Sequence, residues 1–229
     1  MITFPRNLES FYETLLPIAT FDFLPSEYST DLLFRFSDEQ ELDEDAYSEF
    51  LILDYESHNS IPNLGSVFYF MAFTVLQGLA WGIGKLCVHK NYFSSLLSRS
   101  RVATFGSKVT NSAILLVIES TIEILVCLYL NLKKVAWTTW GDRISFITST
   151  LAGCCFVKLL LFLITHIMLL SKEEAEELDD EAVRTKIGGA YEGISTRTTA
   201  ARAFNVVFLL RRSFFMFIVI TFRTSLTFQ

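Results

Sequence analysis

Long apolar stretches punctuated by single charges dominate the second part of the chain. Residues 64–84, LGSVFYFMAFTVLQGLAWGIG, carry no charge. At about 1.5 Å per helical residue, these roughly 21 positions match a hydrocarbon core about 30 Å thick. Pro62 and Asn63 precede the stretch, Lys85 closes it, and Tyr69 and Trp81 suit the two interfacial belts. Residues 111–132, closed by Lys133 and Lys134, and residues 144–170, closed by Ser171 and Lys172, read the same way. Further on, residues 204–210 are apolar, Arg211 and Arg212 interrupt them, and the apolar pattern resumes over 213–229. This predicts a fourth span entering the membrane at Ser213, with the turns before it lying at the interface. The expected fold is all-α: a polytopic membrane helix bundle of three to four spans.

Composition supports a membrane setting and adds a boundary. The 229 residues are 51% hydrophobic, with 22 Phe, and the mean hydropathy is +0.39, too apolar for an ordinary soluble domain of this size. The net charge of −6 hides a division. Residues 1–61 hold fourteen Asp or Glu against Arg6 and Arg35, a balance of −12, while the remainder holds seventeen Lys or Arg against eleven acids, a balance of +6. All four prolines lie at or before Pro62. The chain therefore divides into an acidic segment, 1–61, and a transmembrane helical region, 62–229. Short elements packed on the outer helix ends are expected in the acidic segment, with disorder over 37–49.

Basic residues in short connections set orientation. The connection after the first span has Lys85, Lys90, Arg99, Arg101 and Lys108 and no acid, which marks residues 85–110 as cytoplasmic and the acidic segment as extracellular. Lys133, Lys134 and Arg143 then fall outside, a mild violation of the rule. The third connection returns inside with Lys172, Arg184, Lys186, Arg197 and Arg202, and its acidic run has helical character, with Asp180 and Arg184 at i and i+4. The N-terminus lacks the basic start and continuous apolar stretch of a signal peptide, and the C-terminus stops inside a hydrophobic run, so a fragment of a larger chain is expected. The four cysteines lie in or beside apolar spans, which implies no disulfide framework.

Ionisable residues within the spans are the candidate site. Glu119 and Glu123 lie near the middle of the second apolar stretch and share a helix face at i and i+4. A carboxylate at that depth costs roughly 2.5 to 3.5 kcal/mol on insertion scales, so it turns toward a bundle interior, a water-filled path or a cation. Lys158 lies at a matching level in the third stretch when the two run antiparallel. Glu119, Glu123 and Lys158 are thus expected to form an intramembrane polar cluster, either an internal ion pair that fixes packing or the lining of an ion or proton path. Arg211, Arg212 and Arg223 are further partners for the unmatched carboxylate. His166, near the cytoplasmic end of the third span, is a relay or an interfacial hydrogen-bonder. Gly78 and Gly82 form G-x-x-x-G, a spacing that lets helix backbones approach closely, within the chain or between copies.

Other chemistry is missing from the pattern. The runs 38–45 and 173–181 lack EF-hand spacing, His166 has no ligand at i±4, and no nucleophile elbow, zincin motif, P-loop or dinucleotide fingerprint occurs. No enzyme, metal, cofactor or nucleic-acid partner is expected.

Several blocks carry a resemblance: FDFLPSEYSTDLLFRF (21–36), YESHNSIPNLGS (55–66), ESTIEILVCLYLNL (119–132), GGAYEGI (188–194) and FLLRRSFF (208–215). Together they resemble the multi-pass C-terminal transmembrane region of large ciliate cell-surface proteins, itself loosely similar to TRP-like domains. The resemblance implies a plasma-membrane location. Glu119 and Glu123 match the acidic positions of its second-span block, and Arg211 and Arg212 match the basic pair before its last span; no ligand or catalytic role comes with them. The function expected is that of a non-enzymatic multi-pass surface protein, anchoring or relaying from an extracellular region. The alternative is a subunit of a TRP-like cation channel or transporter. Its partners would be the bilayer and other transmembrane helices, of the parent protein or of a homo-oligomer.

Overall fold

The computed structural model describes residues 33–34, 36, 50, 55, 57–89, 99–170, 178, 180–191, 193–196 and 198–222. Among these the architecture is all-α. In chain order the helices are α1 (Ser60–Leu64), α2 (Ser66–His89), α3 (Arg99–Glu119), α4 (Thr121–Lys133), α5 (Trp140–Leu163), α6 (Glu181–Ile187), α7 (Thr199–Arg202) and α8 (Phe204–Phe222). A π-helical turn, Ile164–Met168, extends α5, and a 3₁₀ turn, Gly188–Ala190, follows α6.

Three helices are long and apolar enough to cross a membrane: Ser66–His89, Trp140–Met168 and Phe204–Thr221. α3 and α4 pass the same test only as a pair, as a broken span or a re-entrant loop, with their axes bent by 69° at a short break. Two expectations change here. The last candidate span starts at Phe204 and not at Ser213, since α8 is one continuous helix that carries Arg211 and Arg212 inside it. The second is not a straight helix over 111–132: α3 starts at Arg99, within the connection read as a basic loop, and the helix breaks at Ser120. The reading of disorder over 37–49, the end of the fourth span over 223–229, and Arg223 lie outside the described residues.

The chain divides into two compact units, one of Met1–Phe70 and Val126–Leu151, the other of Met71–Leu125 and Ala152–Gln229. The second holds the main apolar core, in which Ile118, Phe156, Leu159, Leu163, Ile167, Leu178, Tyr191, Val206 and Leu209 pack together. From Phe156 onward, α5 and its π turn bury positions 156, 159, 163 and 167, a 3- and 4-residue spacing that lays one stripe along this part of the helix. The loop after α6 is sewn to α3 by side-chain amides. Asn111 Oδ1 accepts from Gly189 N at 3.1 Å, and Asn111 Nδ2 donates to Thr185 O at 3.1 Å. The contact is close enough that a Cβ at Gly189 would fall 2.9 Å from Asn111 O. Tyr191 Oη donates to Leu178 O, and Asn205 Nδ2 donates to Ala190 O, so the connection before α8 is tied at both sides.

The G-x-x-x-G reading of α2 is corrected in part. Among the described residues a Cβ on Gly78 or Gly82 would meet nothing within 4 Å, so neither glycine marks a close helix approach there. The close helix approach in this unit is at Gly106, where an added Cβ would collide with the Trp81 indole. Trp81 also carries Lys85 over its ring, 5.2 Å from the centroid, one turn along α2.

Gly189→Ala is therefore expected to lower stability by about 1 to 3 kcal/mol through overpacking against backbone. Gly78→Ala, in open space on a helix, is expected to be neutral or slightly stabilising. Thermal unfolding of the two variants in detergent micelles checks the contrast.

Candidate functional site

The break between α3 and α4 gathers the polar groups of the second unit. Ser120 and Thr121 turn their hydroxyls back onto the preceding turn: Ser120 Oγ donates to Leu116 O, and Thr121 Oγ1 lies 2.8 Å from Val117 O and 3.0 Å from Ile118 O. Back-bonding of this kind competes with the i→i−4 ladder and bends helices. Carbonyls left open at the break need another donor, since hydrocarbon offers none. Arg212 of α8 supplies it, with Nη1 donating to Glu119 O at 2.7 Å and to Ile118 O at 3.1 Å. The guanidinium is held flat by Phe208 one turn earlier, its Cζ 4.3 Å from that ring's centroid.

Sequence-predicted residues divide around this point. Glu119, Glu123 and Arg212 come together: both carboxylates act electrostatically on Arg212, although the hydrogen bonds of its Nη1 go to backbone oxygens. Glu123 is half-buried, and its Oε2 is buried with no hydrogen-bond partner. Glu119 is exposed. Arg211 is exposed too and reaches the group only through its repulsion of Arg212. His166 lies in the π turn, exposed, with its ring tilted against Phe162 at 5.3 Å between centroids.

Lys158 is not the partner of the glutamates. It is exposed on α5, and among the described residues no ion pair joins it to Glu119 or Glu123. Helical phase explains the difference. With about 100° per residue, a position two after Phe156 and one before Leu159 lies well off the buried stripe those residues define. Arg212 instead follows Val206 and Leu209 at the spacing that Met216 continues, so it falls on the core side of α8.

A second polar group, in the first unit, was not anticipated. Asp142 is 1% exposed and accepts from Thr138 Oγ1 at 2.7 Å, Thr139 N at 3.0 Å and Asn59 Nδ2 at 3.0 Å. Thr139 Oγ1 accepts in turn from Asp142 N at 3.2 Å, a reciprocal capping arrangement at the start of α5 that the spacing Thr139-Trp140-Gly141-Asp142 signals. Around it, Ser60 Oγ donates to Ser145 O at 2.7 Å, and Asn131 Nδ2 donates to Ser145 Oγ at 3.0 Å. His58 Nδ1 lies 3.1 Å from Leu130 O; a carbonyl only accepts, so that nitrogen carries the proton. These groups tie the segment before α1 to the end of α4 and the start of α5. Phe50, buried beside Tyr129 with ring centroids 6.0 Å apart, closes the apolar side.

Among the described residues no group of three or more His, Cys, Asp or Glu is placed to hold a metal ion. No family model, curated protein or solved structure matches the chain.

Asp142→Ala removes the acceptor of three donors, of which Asn59 is buried, together with a helix cap, and is expected to destabilise by about 2 to 3 kcal/mol. Thr165→Ala, on an exposed helix position, is expected to change stability by less than about 0.5 kcal/mol. Denaturation of both variants in the same micelles gives the comparison.

Proposed function

We propose that the chain is a non-enzymatic, multi-pass membrane protein that relays a change of conformation across the bilayer, with its acidic N-terminal segment extracellular. The observation that carries this reading is the broken crossing at Ser120, held by one side chain of another span. A helix break clamped from outside is an element with two arrangements: Arg212 on the carbonyls of Ile118 and Glu119, or released from them toward the nearby carboxylates. Movement of α8 against α3 then changes the bend, which is what a relay needs. The same reading puts the chain in the plasma membrane.

One observation favours a second reading, a subunit of a TRP-like cation channel or transporter. Discontinuous membrane helices with a carboxylate at the break occur where transporters bind ions, and Glu123 Oε2 is a buried acceptor without a donor.

A single reconstitution separates the two. The full chain, with its native cysteines replaced, carries an environment-sensitive fluorophore at Ser112→Cys in liposomes. The relay reading expects Arg212→Gln to shift the emission and expects no steady cation current in wild type, Glu119→Gln or Glu123→Gln. Unchanged emission in Arg212→Gln contradicts the relay. A wild-type current that falls at least tenfold in Glu123→Gln replaces it with the transport reading.

A further inference from the structure

Lys158 is exposed within a candidate span, and among the described residues no ion pair accounts for it. Within Trp140–Met168 it has eighteen residues on one side and ten on the other, or about 27 Å and about 15 Å of helix. It therefore sits near the middle of a hydrocarbon core about 30 Å thick. Cys154, Lys158, Leu161 and Thr165 are all exposed, at spacings of 4, 3 and 4. That is the repeat of a helix-packing seam, with a single cation at its centre. An ionised side chain so placed is held by a partner of opposite charge.

Among the described residues of the candidate spans, Glu119 is an exposed acid suited to that role. Glu119 is exposed at the break, and its neighbour Ile118 belongs to the same core cluster as Leu159, the neighbour of Lys158. Both belong to the second unit, and among the described residues no ion pair joins them. The carboxylate of Glu119 is also in electrostatic range of Arg212, without an ion pair. Two copies meeting α5 to α5 would set Lys158 against Lys158, which like-charge repulsion opposes. We infer that a second copy of this chain docks its Glu119 face on the Lys158 seam, forming intermolecular Glu119–Lys158 pairs within the membrane. A two-fold pair makes the contact twice, and a ring makes it once per interface.

The test uses full-length chains in lipid nanodiscs, free of native cysteines, with two differently tagged populations co-expressed. One carries Glu119→Cys and the other Lys158→Cys. Oxidative cross-linking is expected to join the two tags, while Phe73→Cys paired with Lys158→Cys stays uncross-linked. In otherwise native side chains, Lys158→Glu is expected to lower the oligomeric fraction at least fivefold, and the double reversal Glu119→Lys with Lys158→Glu to restore it. A wild type that remains monomeric by single-molecule photobleaching in liposomes would overturn the inference, leaving Lys158 to reach the interface through its own stem. An oligomer indifferent to both reversals would overturn it as well, assigning association to another surface.

Discussion

Inside a bilayer a backbone carbonyl has no water to turn to, and this constraint organises the second unit. A helix satisfies its own carbonyls until something breaks the ladder; here it opens at Thr121, whose hydroxyl turns back onto Val117 O and Ile118 O, while Ser120 N keeps its bond to Leu116 O. Once the axis bends by 69°, the oxygens of Ile118 and Glu119 require a donor from elsewhere. Arg212 answers with one nitrogen for both, and its position on the core side of α8 follows from the same stripe that buries Val206 and Leu209. A single guanidinium thus joins α8 to the break in α3 and lies beside the two glutamates.

The polar group around Asp142 solves a different difficulty by similar means. A chain segment entering from the N-terminal side carries His58, Asn59 and Ser60 to the ends of two helices, where each finds an acceptor or donor at the terminus or on the adjoining turn. Helix termini leave several backbone groups without internal partners, so amides and hydroxyls are well matched to them. Buried networks of this kind hold one geometry because leaving any member unpaired is costly. The first unit is thereby fixed by directional bonds in a region where an apolar core alone would permit sliding.

Much of this was legible from residues. An uncharged run of spanning length announced α2, an apolar run interrupted by one lysine announced α5, and the placing of two carboxylates one turn apart marked the second stretch as unusual. Arg212 was named as a partner for them, although the choice of Lys158 as the main one failed on phase: depth along a span is readable from counting, but which side a residue faces depends on which stripe is buried. Ser120 and Thr121 look like ordinary small polar residues in a string, and nothing local distinguishes a bend from a straight helix that tolerates them. Arg211 and Arg212 suggested an interruption because charge dominates hydropathy, yet the aromatic face of Phe208 and two open carbonyls accommodate one of them inside a continuous helix. The Asp142 network joins positions more than eighty apart in sequence, and only its capping half, Thr139 with Asp142, had a local signature.

The bent crossing is the claim on which both the packing and the functional reading rest, and a distance measures it. With nitroxide labels at Ala103→Cys and Leu132→Cys in liposomes, a straight helix of 29 steps at about 1.5 Å places the two backbones about 44 Å apart. Arms of about 26 Å and about 18 Å meeting at a bend of 69° bring them to about 36 Å. Pulsed electron resonance is expected to give the shorter distance in the wild type and a broader, longer distribution in Arg212→Gln. A wild-type distribution centred on the straight-helix value would contradict the account.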